Sequence, residues 1–299
     1  MPGTYTIKDL ENLSGIKAHT IRIWEKRYGL LIPQRTDTNI RRYTDDDLKK
    51  IINISLLVNR GFKISKIAAL SEEELYNHAL KASSKPEDTN DRIEKLIFHM
   101  LSLDINSLEQ EVESLIQEAG VERAIYQYIF PLMEKIGALW QANSIVPAQE
   151  HFMFNFLRQK LIIETDKLPK ADGKAKLSGI FFLPEGENHE FSLLFYNYLA
   201  RKNGHHTLYL GQSVPLSDIL TIAESFHFDY YFTAIITSTP KSDFEQFLGD
   251  FSHRVSTSTL FVTGKEAQHY KRKHPRNTRI ISRPEKFAEE IKSLSRKED

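Results

Sequence analysis

A chain of 299 residues, 40% hydrophobic and 27% charged, is long enough for two or three domains, and its ordinary globular composition excludes a fibrous or largely disordered protein. The absence of cysteine excludes a disulfide framework and a thiolate metal site. No apolar run reaches the roughly 18 residues of a membrane span, and Met-Pro-Gly-Thr-Tyr-Thr lacks the basic and apolar regions of a signal peptide, so the expectation is a cytoplasmic protein with no membrane partner.

The formal net charge of zero conceals an asymmetry. Residues 1–66 carry 13 Lys and Arg against 7 Asp and Glu, a balance of +6 that the remainder must cancel. A basic module joined to an acidic remainder points to a polyanion partner for the N-terminal part.

In that part, Ile7, Leu10 and Leu13 recur at helical spacing behind Thr6 as N-cap, and the segment closes on Gly15. Residues 18–28 read as a second helix, with Ile21 and Trp24 turned inward and His19, Arg22 and Lys26 on another side. Two such helices and a tight turn make a helix-turn-helix, whose second helix fits a major groove. The run Thr20-Ile-Arg-Ile-Trp-Glu-Lys-Arg-Tyr-Gly-Leu-Leu-Ile-Pro-Gln-Arg35, followed by Arg41-Arg-Tyr43, resembles the winged helix-turn-helix of MerR-type transcription regulators over about residues 4–75. The resemblance implies a domain over 1–78 that binds double-stranded operator DNA. It implies contacts from Thr20, Arg22 and Lys26 on the helix and Arg35, Arg41, Arg42 and Tyr43 on the wing, with Lys17, Ala18 and His19 nearest the bases, although Tyr43 and Trp24 also suit packing as core aromatics. Thr44 followed by three aspartates reads as the capped start of a helix running to about Arg60. Residues 79–90, with two serines and Pro86, read as a linker, so any dimerisation lies elsewhere.

Four amphipathic segments follow, Asp91–Ser102, Ile105–Ala119, Val121–Gln141 and Pro147–Leu168, and predict a four-helix bundle over 91–170. Within it, Trp140, nine residues, then Glu150-His151 resembles the signature of cobalamin-binding helical caps. In the light-sensing, adenosylcobalamin-dependent members of the MerR family this Trp covers the upper face of the corrin, and the Glu and His approach the upper ligand. An indole can cover an apolar ring, although an indole ending an amphipathic helix also suits simple packing.

Residues 175–299 alternate short apolar strands (177–183, 207–210, 230–236, 259–262, 279–281) with helical segments (190–203, 216–226, 243–252, a short one near 266–273, and 284–296). That alternation predicts a doubly wound, Rossmann-like (flavodoxin-like) parallel sheet, whose ligands bind at the carboxyl ends of the strands. The first strand-to-helix loop there carries Glu187-Asn-His189-Glu-Phe-Ser192, which resembles the Asp-x-His-x-x-Gly motif of cobalamin-binding domains. The resemblance implies that His189 is the lower axial ligand of the cobalt, oriented by Glu187. Ser192 replaces the motif's Gly, Thr263-Gly264 stands for its Gly-Gly, and Thr233 and Thr237 correspond loosely to its Ser-x-Leu region.

Together these readings predict a multidomain α and α/β protein: a transcription regulator rather than an enzyme, a homo-oligomer (dimer or tetramer) that represses under the control of cobalamin, in its adenosyl form. Two alternatives stay open: a regulator whose sensory half has lost cobalamin and answers to another ligand or a protein, and a cobalamin-dependent methyl carrier or enzyme.

Overall fold

The computed structural model describes residues 5–36, 39–59, 61–72, 74–75, 78, 89–141, 145–170, 177–237, 241–264, 267–268, 270 and 273–295. The chain forms two compact units, Met1–Phe154 and Asn155–Asp299.

The first unit begins with α1 (Ile7–Ser14) and α2 (Ala18–Tyr28), followed by a two-stranded antiparallel wing, β1 (Gln34–Arg35) and β2 (Arg41–Arg42), then α3 (Asp45–Asn59) and the short α4 (Ile64–Ile67). Thr6 caps α1 through a reciprocal box with Asp9, and Thr44 with Asp47 repeats the device before α3, so both predicted N-termini are satisfied locally. The α1 helix packs on α2 and α3, and the buried Ser55 hydroxyl donates to the Ser14 carbonyl at 2.7 Å, tying α3 to the end of α1. An isolated bridge between Tyr5 and Tyr43 closes the base of the wing.

The bundle helices are α5 (Thr89–Leu101), α6 (Ile105–Ala124), α7 (Phe130–Gln141) and α8 (Pro147–Asp166). Of the expected linker, 79–88 lie outside the described residues and 89–90 already belong to α5. The expected turn at Gly120 is a kink within α6, at φ 75 and ψ 160. The expected helix 121–141 is interrupted by a π-helical turn, Ile125–Ile129, which rotates α7 relative to α6 and buries Ile129, Leu132, Ile136 and Leu139. The division between the compact units falls inside α8, not at residues 170–175.

The second unit holds a five-stranded parallel sheet of order β4-β3-β5-β6-β7, made of β3 (Ser178–Pro184), β4 (His206–Val214), β5 (Tyr230–Ala234), β6 (Thr259–Thr263) and β7 (Thr278–Ile280). Helices α9 (Phe191–Lys202), α10 (Leu216–Ser225), α11 (Lys241–Arg254) and α12 (Pro284–Ser295) complete it. Most of the short helix expected near 266–273 lies outside the described residues. Strand β4 outruns its predicted 207–210 because register shifts after Phe181 and Phe182 carry polar Gln212 and Ser213 along the sheet edge, hiding the alternation. The α9 helix packs on the sheet beside α12, with Tyr196 stacked on Phe232 at 4.5 Å between ring centroids and Phe287 set edge-on against Phe232 and Phe261. On the other face Ile219 of α10 and Phe244, Leu248 and Phe251 of α11 cover Ile180, Tyr231 and Val262. The chain reverses winding between β3 and β5, which opens a crevice at their carboxyl ends.

Candidate functional site

The first surface is α2 and the wing. Glu11 caps α2 from outside it: one carboxylate oxygen accepts from the Ala18 N–H at 3.0 Å and the other from Lys17 Nζ at 3.0 Å. These bonds, the Ala18 N–H first, hold the Glu11 carboxyl below the usual range. Lys17, His19, Arg22, Ile23, Lys26 and Arg27 are exposed, Thr20 is half-buried, and Ile21 is fully buried on the opposite side. Trp24 is half-buried, so it is less interior than its spacing predicts. On the wing, Arg35 is exposed and bonds Asn39 Oδ1 at 2.5 Å, while Arg41 and Arg42 are half-buried.

Two predicted contacts change role. Tyr43 is fully buried and its hydroxyl donates to Glu25 Oε1, so it is removed from the DNA-contact set. Burial, with the Glu25 carboxylate beside it, raises the phenol's pKa above its ordinary value. Arg41 spends its Nε on Glu25 Oε2 at 3.1 Å. Glu25, which sequence reasoning passed over, is therefore the clamp between α2 and β2: one carboxylate on the helix holds both Arg41 and Tyr43 of the wing. Its signal was a lone acid in a basic helix. Replacing Glu25 by alanine leaves the Tyr43 hydroxyl buried without its acceptor, and a loss of about 1–3 kcal/mol of stability is expected in chemical denaturation; an unchanged midpoint would refute the clamp.

In the bundle, Trp140 ends α7 with 48% of its surface exposed, while Leu139 beside it is buried. Packing within the first unit therefore does not consume the indole. Glu150 (half-buried) and His151 (exposed) lie in the first turn of α8. That turn is anchored by Gln149, whose side chain accepts from the Val146 N–H at 3.1 Å and donates to the Leu101 carbonyl at 3.2 Å.

In the second unit, the loop after β3 delivers Glu187 to the crevice. Its carbonyl accepts from the Ser213 N–H at 3.2 Å, pinning the loop to the end of β4. Its buried carboxylate accepts from the N–H groups of Ile236 (2.8 Å) and Thr237 (2.7 Å) beyond β5, from the Thr237 hydroxyl (3.2 Å) and from the His189 N–H (3.0 Å), and meets His189 Nδ1 at 2.6 Å. Desolvation pushes this carboxyl's pKa up, but the bonds from His189 and from the Thr237, His189 and Ile236 N–H groups outweigh it and hold the value at about 2. Since the folded value lies below the ordinary one, the associated stability is complete above about pH 4.5 and is lost as pH falls toward 2. The carboxylate facing Nδ1 favours the imidazole proton on that nitrogen of a half-exposed ring. Glu187, one methylene longer than the motif's Asp, thus reaches the backbone N–H groups beyond β5.

The structure brings Glu187, His189 and Thr237 together and gives the other predicted residues different surroundings. Ser192 is half-buried in the first turn of α9. Thr233 is fully buried on β5, its hydroxyl without a hydrogen-bond partner. Thr263 is buried and donates its hydroxyl to the Ile281 carbonyl at 2.8 Å. Gly264 has φ +107, and a Cβ there would stand 2.1 Å from the Ile235 carbonyl oxygen, so packing against Ile235 alone requires glycine. A recess of about 490 Å³, lined by Glu187, Thr237, Leu216, Ile235, Phe244 and Phe247, opens beside the dyad toward α11.

Sequence reasoning also missed Glu190, the buried residue preceding α9. Its carboxylate accepts from Arg158 Nε at 2.6 Å, the Tyr209 hydroxyl at 2.8 Å and Gln212 Nε2 at 3.3 Å. Burial, with Glu190 close by, raises the Tyr209 phenol's pKa above its usual value. This cluster fixes the far end of the His189 loop; the only sequence sign was the acid following the histidine.

Residues 5–74 match the family model described as MerR HTH family regulatory protein, and residues 92–163 match the one described as B12 binding domain. The HTH-type transcriptional repressor CarH of Myxococcus xanthus is 27% identical over 252 residues, covering 82% of this chain and 83% of that one. The HTH-type transcriptional repressor CarA of the same organism is 22% identical over 274 residues, covering 89% and 88%. The HTH-type transcriptional regulator MlrA of Salmonella typhimurium is 29% identical over 132 residues, covering 44% of this chain and 51% of that one. Among solved structures, the monomethylamine corrinoid protein of Methanosarcina barkeri superposes with a TM-score of 0.57 at 14% identity, covering 69% of this chain and all of that one; at that identity the likeness concerns the fold.

Proposed function

From a chain that joins a MerR-type helix-turn-helix domain to a B12-binding domain, we infer a DNA-binding transcription repressor under cobalamin control. The observation that carries the sensory half is the Glu187–His189 dyad, set at the winding reversal of the sheet with the imidazole proton held on the carboxylate side. The residues present fit cobalamin, whose cobalt His189 would hold through its imidazole. An imidazole whose Nδ1 is fixed by a buried carboxylate is a suitable cobalt donor, and Thr237 steadies the same carboxylate. Trp140, with Glu150 and His151, would help to hold the cofactor. Bound adenosylcobalamin supplies a cobalt–carbon bond that light breaks; this chain's part is to hold the ring and to read its state.

The DNA half follows from α2 and the wing, whose exposed cations suit phosphate oxygens and whose helix fits a major groove. A homo-oligomer, dimer or tetramer, would place two such helices on operator half-sites. Control requires that the cofactor's two states favour different assemblies. The relatives are named as regulators, and no helix among the described residues is long and apolar enough to cross a membrane.

The full chain, mixed with adenosylcobalamin and desalted in the dark, is expected to retain the cofactor and to shift a duplex of its own promoter region, releasing it after illumination. A colourless protein that binds the duplex equally in both conditions would support the second reading, a regulator controlled by another ligand or a protein. The observation favouring that reading is the packing of positions that the resemblance assigns to the cofactor: Thr233 and Thr263 are buried, and Gly264 abuts Ile235.

A further inference from the structure

On α2, residues 19, 22, 23 and 26 stand at i, i+3, i+4 and i+7, so they form one stripe along the helix. All four are exposed, and three of them, His19, Arg22 and Lys26, are cationic or able to become so. The fourth, Ile23, is 52% exposed in the middle of the stripe, and Arg27 flanks it on the next turn. Ile21, on the opposite side, is fully buried and carries the packing of α2 into its unit, so the fold does not need an apolar residue at 23. Helix propensity does not need one either, since β-branched isoleucine is a poorer helix former than the lysine or glutamate that suits such a position.

Within a cationic stripe the fitting partner is polyanionic, and the apolar feature that a duplex presents among its hydrogen-bonding edges is the thymine C5-methyl group in the major groove. We propose that Ile23 is a sequence-reading residue, its side chain packing on a thymine methyl while Arg22 and Lys26 hold the flanking phosphates. The proposal rests on the DNA-binding reading and deepens it. The cations position the helix without reading sequence, and Ile23 adds a preference for thymine over cytosine at one position of each half-site.

The probe is a pool of duplexes with a randomised 20-base-pair centre, bound by the full chain in the dark with adenosylcobalamin present. The selected consensus is then remade with each thymine in turn replaced by uracil, which removes the methyl alone. At one thymine per half-site the replacement is expected to weaken the wild-type chain about three- to fivefold, the scale of one buried methyl. Ile23→Ala should bind the thymine and uracil duplexes alike, at the affinity of the wild type for uracil. Ile23→Gln, equally exposed and of similar length, should also lose the methyl dependence, and thermal unfolding of both variants checks the fold. Wild-type binding indifferent to uracil at every position overturns the proposal and leaves the DNA role standing, as does an unchanged uracil penalty in Ile23→Ala. If the wild type shows no salt-sensitive binding to the pool, the DNA-binding reading itself fails and takes the proposal with it.

Discussion

Replacing His189 by alanine is expected to remove the histidine-ligated, base-off absorption spectrum of the adenosylcobalamin complex and to lower retention of the cofactor on desalting at least tenfold. Imidazole is a strong nitrogen donor, and the substitution also leaves the buried Glu187 carboxylate without the ring it orients. The fold should survive, because the ring is half-exposed and Glu187 keeps its bonds from the Ile236 and Thr237 N–H groups. Glu187→Gln separates the two roles. A carboxamide can still receive those N–H groups, but it no longer polarises the imidazole, so cofactor binding should fall by about 10- to 100-fold with the histidine-ligated spectrum retained in the bound fraction. A His189→Ala chain that keeps both the colour and the spectrum of the wild type would eliminate His189 as the ligand.

The double substitution of Arg22 and Lys26 by alanine is expected to cost about two to four orders of magnitude in duplex affinity near physiological salt, since each charge-assisted contact to phosphate contributes roughly 1.5–3 kcal/mol. It should also reduce the slope of log affinity against log salt by about two, because two fewer counterions are released. Both side chains are exposed on α2, so the stability of the unit should not change. Arg41 is the instructive contrast. Its Nε is engaged by Glu25 on α2, so Arg41→Ala should lower duplex affinity chiefly by loosening the wing, accompanied by a drop in unfolding midpoint that the Arg22 and Lys26 variants lack. Unaltered affinity and slope in the double variant would show that α2 does not face the phosphates.

Elements whose causes are local were legible in the chain. The capped starts of α1 and α3 lie in boxes three residues wide, the cationic character of α2 needs only its own spacing, and the strand-helix alternation of the second unit follows from two periodicities. Resemblance supplied the pairing of Glu187 with His189, and the 2.6 Å contact between them agrees with it. What was not legible has a cause of another kind. Tyr43 reads either as a wing contact or as a core aromatic, and the partner that decides for the interior, Glu25, lies eighteen residues earlier. Thr263 reads as a cofactor residue, yet the carbonyl of Ile281 claims its hydroxyl. Glu190 and Arg158 carry no motif, and a separation of thirty-two residues hides their pairing.

By itself, therefore, the sequence determined the order of the modules, the class of each fold, the polyanion-binding character of the N-terminal unit and the identity of the imidazole at the crevice, because these depend on side-chain type and on spacings within a turn or a strand. Only the tertiary structure decided which polar groups face outward. A carboxylate withdrawn from water, such as Glu187 or Glu190, must collect donors from whichever elements the fold brings beside it, and packing of the same long-range kind buries Tyr43 and Thr263 while Trp140, His189 and Ile23 stay exposed.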